Sequence, residues 1–246
     1  MLTAIIVAAG SSRRMGIDKL FAKIAGKSVL AHAIGPFECA DCVTEIILVA
    51  RKDRFGEIEK TAHDQKWKKV RSIVPGGDHR QDSVRAGLEQ VGENVRYVAV
   101  HDAARPLITP EQIERVFQCC RKHGAAALAE AVTDTLKRAD VDLAVAGAVE
   151  RHRLYAMQTP QIFERQLLER AYRAVAAKRM PVTDEVSAVE LLGGKVALVV
   201  NDDFNFKVTY ERDLWLAEFV LQKRGASCRL SENSRPALDR RGRAGE

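Results

Sequence analysis

Six mainly apolar runs of strand length recur along the first 200 residues: TAIIVAA (3–9), EIILVA (45–50), VRSIV (70–74), YVAV (97–100), AAALAEAV (125–132) and KVALVV (195–200). Between and after them lie stretches with apolar positions three and four apart, among them SVLAHAIGPFECA, RQDSVRAGLEQV, EQIERVFQCCRKHG and ERDLWLAEFVLQK. Strands that are apolar on both sides, alternating with amphipathic helices, predict a sheet buried on both faces. The expected fold is therefore α/β: three-layer and Rossmann-like, with a mostly parallel sheet and helices on both faces. Sheets of this kind collect ligands at the carboxyl ends of their strands.

Two segments break the rhythm. From about Thr133 to Arg153, DTLKRADVDLAVAGAVERHR alternates polar and apolar residues without helix caps, the pattern of a β-hairpin arm projecting from the body. From Ala226 onward, SCRLSENSRPALDRRGRAGE is polar and charged and reads as a disordered tail. Residues 1–225 are expected to form one domain that carries the arm.

Composition narrows the function classes. The hydrophobic content of 46% over 246 residues is ample for a buried core. The formal charge of +6 owes part of its excess to the tail, and the remaining bias suits an anionic small molecule. Aromatics make up only 6% and do not interleave with the basic residues, which speaks against nucleic-acid binding. No apolar run reaches the ~18 residues of a membrane span, and MLTAIIVAAG lacks the charged start of a signal peptide, so a cytoplasmic protein without membrane contact is expected. Five cysteines at low density point to reduced thiols. Cys39 and Cys42 form a CxxC pair without the second pair or histidine of a zinc site. Cys119 and Cys120 are expected in a helix, one of them facing inward.

The chemistry concentrates in AAGSSRRMGIDK (8–19), a bend straight after the first strand. It is neither GxGxxG nor a Walker A sequence. Backbone amides at Gly-Ser-Ser can converge on an anion, and Arg13, Arg14 and Lys19 supply more positive charge than a pyrophosphate diester needs. A nucleoside triphosphate fits, held by forked guanidiniums and a point-charge ammonium, with Lys19 near the α-phosphate.

Other motifs fall near predicted strand ends. PGGDHRQDSV (75–84) offers Gly76 and Gly77 for close approach and Asp78 and Ser83 for hydrogen bonds. HDAARP (101–106) places Asp102 and Arg105 at the ligand edge, where an acid can orient a hydroxyl or a magnesium-bound water. A helix cap is the weaker reading of Asp102, because Pro110 marks a later helix start. His101 reads as a satisfied core histidine rather than a general base.

With DTLKR (134–138), QTPQ (158–161), TDE (183–185) and NFKVT (205–209), seven motifs stand in order, and the likeness they carry runs through about Lys223. Together they resemble the 2-C-methyl-D-erythritol 4-phosphate cytidylyltransferases, members of the nucleotidyltransferase superfamily. The resemblance implies a magnesium-dependent transfer of CMP from CTP to 2-C-methyl-D-erythritol 4-phosphate in the non-mevalonate isoprenoid pathway; no side chain is assigned as a metal ligand, Mg2+ being held mainly by the CTP phosphates with Asp102 as the candidate protein contact. It also implies a homodimer joined through the β-arm. Carried over by motif, Ala8, Ala9, Gly10, Gly76, Asp78 and Ser83 surround the nucleotide, while Arg14 and Lys19 act on the triphosphate. Asp102, Arg105, Thr135, Thr159 and Thr183 hold the polyol phosphate together with Arg151 and Lys207, which join Arg14 and Lys19 as the catalytic groups. Many family members carry a proline before the loop lysine, where this chain has Asp18. A ribitol 5-phosphate cytidylyltransferase and a non-catalytic nucleotide-binding dimer are the alternatives; HDAARP and DTLKR favour the methylerythritol enzyme over the first, and Arg14, Lys19 and Asp102 together speak against the second.

Overall fold

A computed structural model describes residues 1–10 and 18–233, the last eight of them as backbone only. The first strand, β1 (Leu2–Ala8), alternates its side chains between two cores: Leu2, Ala4, Ile6 and Ala8 join one apolar cluster and Ile5 the other. That alternation is why the run reads as continuously apolar. A short hairpin, β2 (Lys23–Ile24) and β3 (Lys27–Ser28), leads into α1 (Val29–Cys39) and β4 (Val43–Ala50). A single 3-10 turn (Lys52–Arg54), α2 (Phe55–Asp64), β5 (Val70–Pro75), α3 (Arg80–Leu88) and β6 (Tyr97–Asp102) follow. Next come α4 (Pro110–His123), β7 (Ala125–Ala131), the arm strands β8 (Lys137–Ala139) and β9 (Val145–Ala148), and β10 (Tyr155–Glu164). The chain continues through α5 (Arg165–Lys178), α6 (Glu185–Glu190), β11 (Ala197–Val200) and α7 (Glu211–Asn233).

Seven strands form the central sheet in the order β11-β7-β10-β6-β1-β4-β5. All its pairs are parallel except those of β10, which runs antiparallel to both β6 and β7. One apolar cluster holds residues of α1, α2, α4 and α7 and the other residues of α3, α5 and α6, so helices cover both faces as the pattern requires. Gly87 lets α3 lie close: a Cβ there would stand 2.6 Å from Cγ2 of Ile5. Local signals set the α4 ends, where Thr109 caps the first turn, Pro110 opens it and Gly124 closes it at φ 80°.

Register aligns the strand ends that matter. Asp102 pairs with Val7, Ala8 with Ala50, and Ala50 with Pro75, so the loops leaving β6, β1, β4 and β5 emerge in one row.

The structure departs from the sequence reading at two elements. β10 is an additional strand, and QTPQ lies within it where the pairing with β7 shifts between Met157 and Gln161. Pro160 has no N–H to donate, which confines it to such an irregularity. Helix α7 continues to Asn233, past Ala226 where the disordered tail was expected to begin. The segment after Gly225 contains no proline before Pro236, and its Ala, Arg, Leu and Glu residues sustain a helix. Residues 234–246 of that tail lie outside the described residues. The projecting arm is present as the β8–β9 pair, and its Val141, Leu143 and Val145 are among the most exposed apolar side chains. Cys120 is buried in α4 beside the partly exposed Cys119.

Candidate active site

A cleft of about 890 Å3 opens where the row of strand ends meets the loops. Its β1 side is Ala8, Ala9 and Gly10, and Lys19 lines it as well. Gly76 forms the opposite side and must be glycine, since a Cβ would fall 2.3 Å from the Cβ of Ala9 and 2.8 Å from Oγ of Ser83. Asp78 is exposed at the rim. Ser83 lines the cleft while its Oγ accepts from the Gly77 N–H at 3.2 Å and donates to the His79 carbonyl at 3.3 Å, shaping the glycine turn. The N-terminus of α3, a favourable place for negative charge, also opens here.

The other wall is ionic. Lys207 Nζ lies 2.7 Å from Oδ2 of Asp102, and Arg80 Nε lies 2.9 Å from Oδ1. Arg80 extends its fork to Glu185, with contacts of 2.7 and 3.0 Å, and Tyr172 donates its hydroxyl to the same carboxylate at 2.9 Å. Burial would raise the Asp102 pKa, but the charges of Arg80, Lys207 and Arg105 outweigh it and hold the carboxyl well below its usual range. Burial likewise opposes the charge on Arg80, and Glu185 and Asp102 overcome it, raising its pKa. Lys19 Nζ donates to the Val208 carbonyl at 2.8 Å, which sets this lysine beside the segment that carries Lys207.

Several motif residues stand behind the wall. Arg105 does not line the cleft; its buried guanidinium donates to the carbonyls of Asn205 at 2.7 Å and Met157 at 3.2 Å. Thr159 is also outside it, accepting from the Asp102 N–H at 3.1 Å. His101 is fully buried, with Nδ1 at 2.9 Å from the Thr159 hydroxyl and Nε2 at 3.2 Å from the Arg105 carbonyl. A carbonyl only accepts, so Nε2 carries the proton and Thr159 donates to Nδ1. Burial pushes the His101 pKa down to about 3, so it is a neutral strut and no base. The glutamines of QTPQ fasten both halves of the wall. Gln158 accepts from Asn205 at 3.2 Å beside the Lys207 segment, and Gln161 accepts the N–H groups of Glu185 and Val186, both at 3.1 Å.

Thr135 and Arg151 lie exposed on the arm, where Arg151 donates to the Thr133 carbonyl, and neither lines the cleft of its own chain. Thr183 is exposed just before Asp184, which is the residue that caps α6. Arg14 lies outside the described residues. Both oxygens of Asp102 face cations, Oδ1 toward Arg80 and Oδ2 toward Lys207.

Arg80 and Glu185 were not singled out from the sequence, although each sits inside a quoted motif. They are separated by 105 positions, and only the fold pairs them. Arg51 and Lys52 at the cleft mouth were missed as well: they directly follow the strand run EIILVA, but no glycine or serine beside them marked an anion-binding turn.

The neutral state of His101 has a measurable consequence. Its folded pKa is depressed, so its contribution is complete above about 6.5 and is lost as pH falls toward about 3, at up to ~1.4 kcal/mol per pH unit. Asp102, whose folded pKa is also depressed, adds its own loss as pH falls through the ordinary carboxylate range and below it. Urea unfolding of His101→Gln is therefore expected to show a shallower stability decline between pH 6 and 4 than the parent; identical slopes would remove His101 as the source.

Comparison with known proteins identifies the family and agrees with the fold. The family model described as 2-C-methyl-D-erythritol 4-phosphate cytidylyltransferase matches residues 2–223. A protein of that name from Bacillus licheniformis is 40% identical over 220 residues, covering 89% of this chain and 94% of its own. Another, from Halalkalibacterium halodurans, is 38% identical over 224 residues, covering 90% and 97%. The crystal structure of 4-diphosphocytidyl-2C-methyl-D-erythritol synthase from Anaerococcus prevotii superposes with a TM-score of 0.80 at 30% identity, covering 90% of this chain and 96% of that one. Matched by the family model over residues 2–223 and by relatives 38–40% identical over about nine-tenths of its length, the chain belongs to the 2-C-methyl-D-erythritol 4-phosphate cytidylyltransferase family of nucleotidyltransferases.

Proposed function

We infer that this chain transfers CMP from CTP to 2-C-methyl-D-erythritol 4-phosphate, releasing pyrophosphate, as a step of non-mevalonate isoprenoid synthesis. The observation that carries this reading is a single cleft whose glycine-lined nucleotide side bears Lys19 and whose other wall presents Lys207 clamped by Asp102. The acceptor phosphate attacks the α-phosphorus of CTP in line, the bond to the β-phosphate oxygen breaks, and the pyrophosphate takes the electron pair. A phosphomonoester with a second pKa of ~6 is largely deprotonated near neutrality, so no general base is required. That accords with the neutral, doubly bonded His101. The work left to the chain is to align two anions and offset their repulsion. The cleft is suited to it, with the cations Lys19, Arg51, Lys52, Arg80 and Lys207 against the carboxylates Asp78 and Asp102. Magnesium enters as a companion of the triphosphate, since Mg2+ keeps much of its water and favours substrate phosphates. Arg14 acts beside Lys19 in this reading.

The arm belongs to the same reading. Its exposed apolar residues need a partner surface, and Thr135 and Arg151 stand on it outside the cleft of their own chain. A homodimer in which the arm brings Thr135 and Arg151 to the partner's acceptor site accounts for both. Deleting residues 137–148 and closing the gap is expected to give monomers by light scattering; a dimer of unchanged mass would refute the arm's role. A cytoplasmic location accompanies the reading, and no helix among the described residues is long and apolar enough to cross a membrane.

The test of the reaction is a coupled pyrophosphate assay across the four nucleoside triphosphates with methylerythritol phosphate or ribitol 5-phosphate. Release only with CTP and methylerythritol phosphate supports the reading. Comparable turnover of ribitol 5-phosphate would reassign the acceptor, and no release with any pair would leave a binding protein.

A further inference from the structure

We propose that Asp18 is a positioning residue that holds Lys19 in the cleft by clamping the lysine's N-terminal flank to the end of β4. The inference rests on the role given to Lys19 above. Lys19 is anchored on its C-terminal side by the core: Leu20 is buried, and its carbonyl accepts from the Leu30 N–H at 2.9 Å. On the other side lies Asp18, whose carbonyl accepts from Phe21 N–H at 3.1 Å and so closes a turn around Lys19. The Asp18 carboxylate has its own pair of arginines, Arg51 and Arg54. Its Oδ2 lies 3.0 Å from Arg54 Nε and 3.4 Å from Arg51 Nη2, and its side chain is only 15% exposed.

The clamp has a second contact, for the Arg54 guanidinium lies over the Phe21 ring at 5.3 Å from its centroid. Arg51 is itself oriented by Asp53 at 2.9 Å. The turn 18–21 is thereby fastened to the 3-10 turn Lys52–Arg54 at both its ends. Because β4 is paired with β1 in register through Ala8 and Ala50, the 3-10 turn that carries the anchor starts directly from a paired strand of the central sheet. A partly buried carboxylate between two guanidiniums is screened less than an exposed pair and holds a more definite geometry. Lys19 reaches the Val208 carbonyl from that turn, so a shift at Asp18 displaces the ammonium relative to Lys207.

The experiment is a double-mutant cycle read as kcat and KM for CTP in the full-length protein. Asp18→Asn, close in size but uncharged, is expected to lower kcat about tenfold, within the range that a misplacement near 1 Å produces. Arg54→Gln, which keeps Asp18 and removes the partner at 3.0 Å, should give the same direction with a Tm close to the parent's. In a Lys19→Ala background, Asp18→Asn should change kcat less than about twofold, because a residue acting through Lys19 has nothing left to place. Asp18→Glu, which can still meet both arginines, should recover most of the turnover. Parent-like kcat in Asp18→Asn would overturn the inference, as would an equal loss in both backgrounds, which marks a general structural role. Full turnover in Lys19→Ala alone would instead sink the reading of Lys19 itself, and the two failures are told apart by that single variant.

Discussion

Arg80→Ala is expected to lower the unfolding free energy by about 3–5 kcal/mol, the range for breaking one side of a buried ion pair. For a chain of this size that corresponds to a fall in Tm of about 6–20 °C, measurable by calorimetry. The magnitude follows from what the arginine leaves behind. Glu185 is fully buried, and its carboxylate meets both terminal nitrogens of Arg80, with the Tyr172 hydroxyl as the other partner. Asp102, also buried, would keep Lys207 alone as its close ion-pair partner. An uncompensated carboxylate in such a place costs far more than the intact pair contributes. A double variant, Arg80→Leu with Glu185→Leu, should therefore recover part of the lost stability. A single Arg80→Ala protein melting within about 2 °C of the parent would show that water or a shifted lysine already compensates the charge.

The second large effect is catalytic. Lys19→Ala is expected to reduce kcat by on the order of a hundredfold or more, the scale for removing one charge contact to the transition state. Such a loss equals roughly 2.7–4 kcal/mol of transition-state stabilisation. Lys19→Arg should restore only part of it, because a planar fork and a compact ammonium present their donors differently. Arg14→Ala is expected to fall in the same range. Turnover within about threefold of the parent in purified Lys19→Ala would remove this lysine from the reaction, since a lost transition-state contact cannot be that mild.

These two predictions come from residues of different legibility. Lys19 was visible because a lysine soon after a glycine-serine bend and a strand is a local pattern with a phosphate-binding meaning. The same holds for Gly76 and for Asp102 at the end of an apolar run. Arg80 was quoted within a motif but given no part, because its role depends on Glu185, and nothing in the neighbourhood of either residue announces the other. Arg105 and Thr159 show the reverse. Both lie in motifs near the ligand edge, yet the fold turns them inward, to hold the Asn205 segment and the backbone of Asp102. A motif marks a neighbourhood, and which side of the wall a side chain occupies depends on the pleat and on what packs behind it.

What the sequence by itself determined is the set of properties that depend on neighbours in the chain. Apolar runs bounded by caps and glycines fixed where most strands and helices lie, and their two-sided burial implied a covered parallel sheet. Lys19 and the glycines were placed near strand ends by the same local rules. Only the tertiary structure decided that β10 would enter the sheet antiparallel between β6 and β7, and that α6 would carry Glu185 to Arg80. It likewise set Lys207 against Asp102, and Asp18 against Arg51 and Arg54. The physical reason is that hydrophobic periodicity and capping act over a few residues, whereas ion pairing in a low-dielectric wall requires groups far apart in the chain to arrive together.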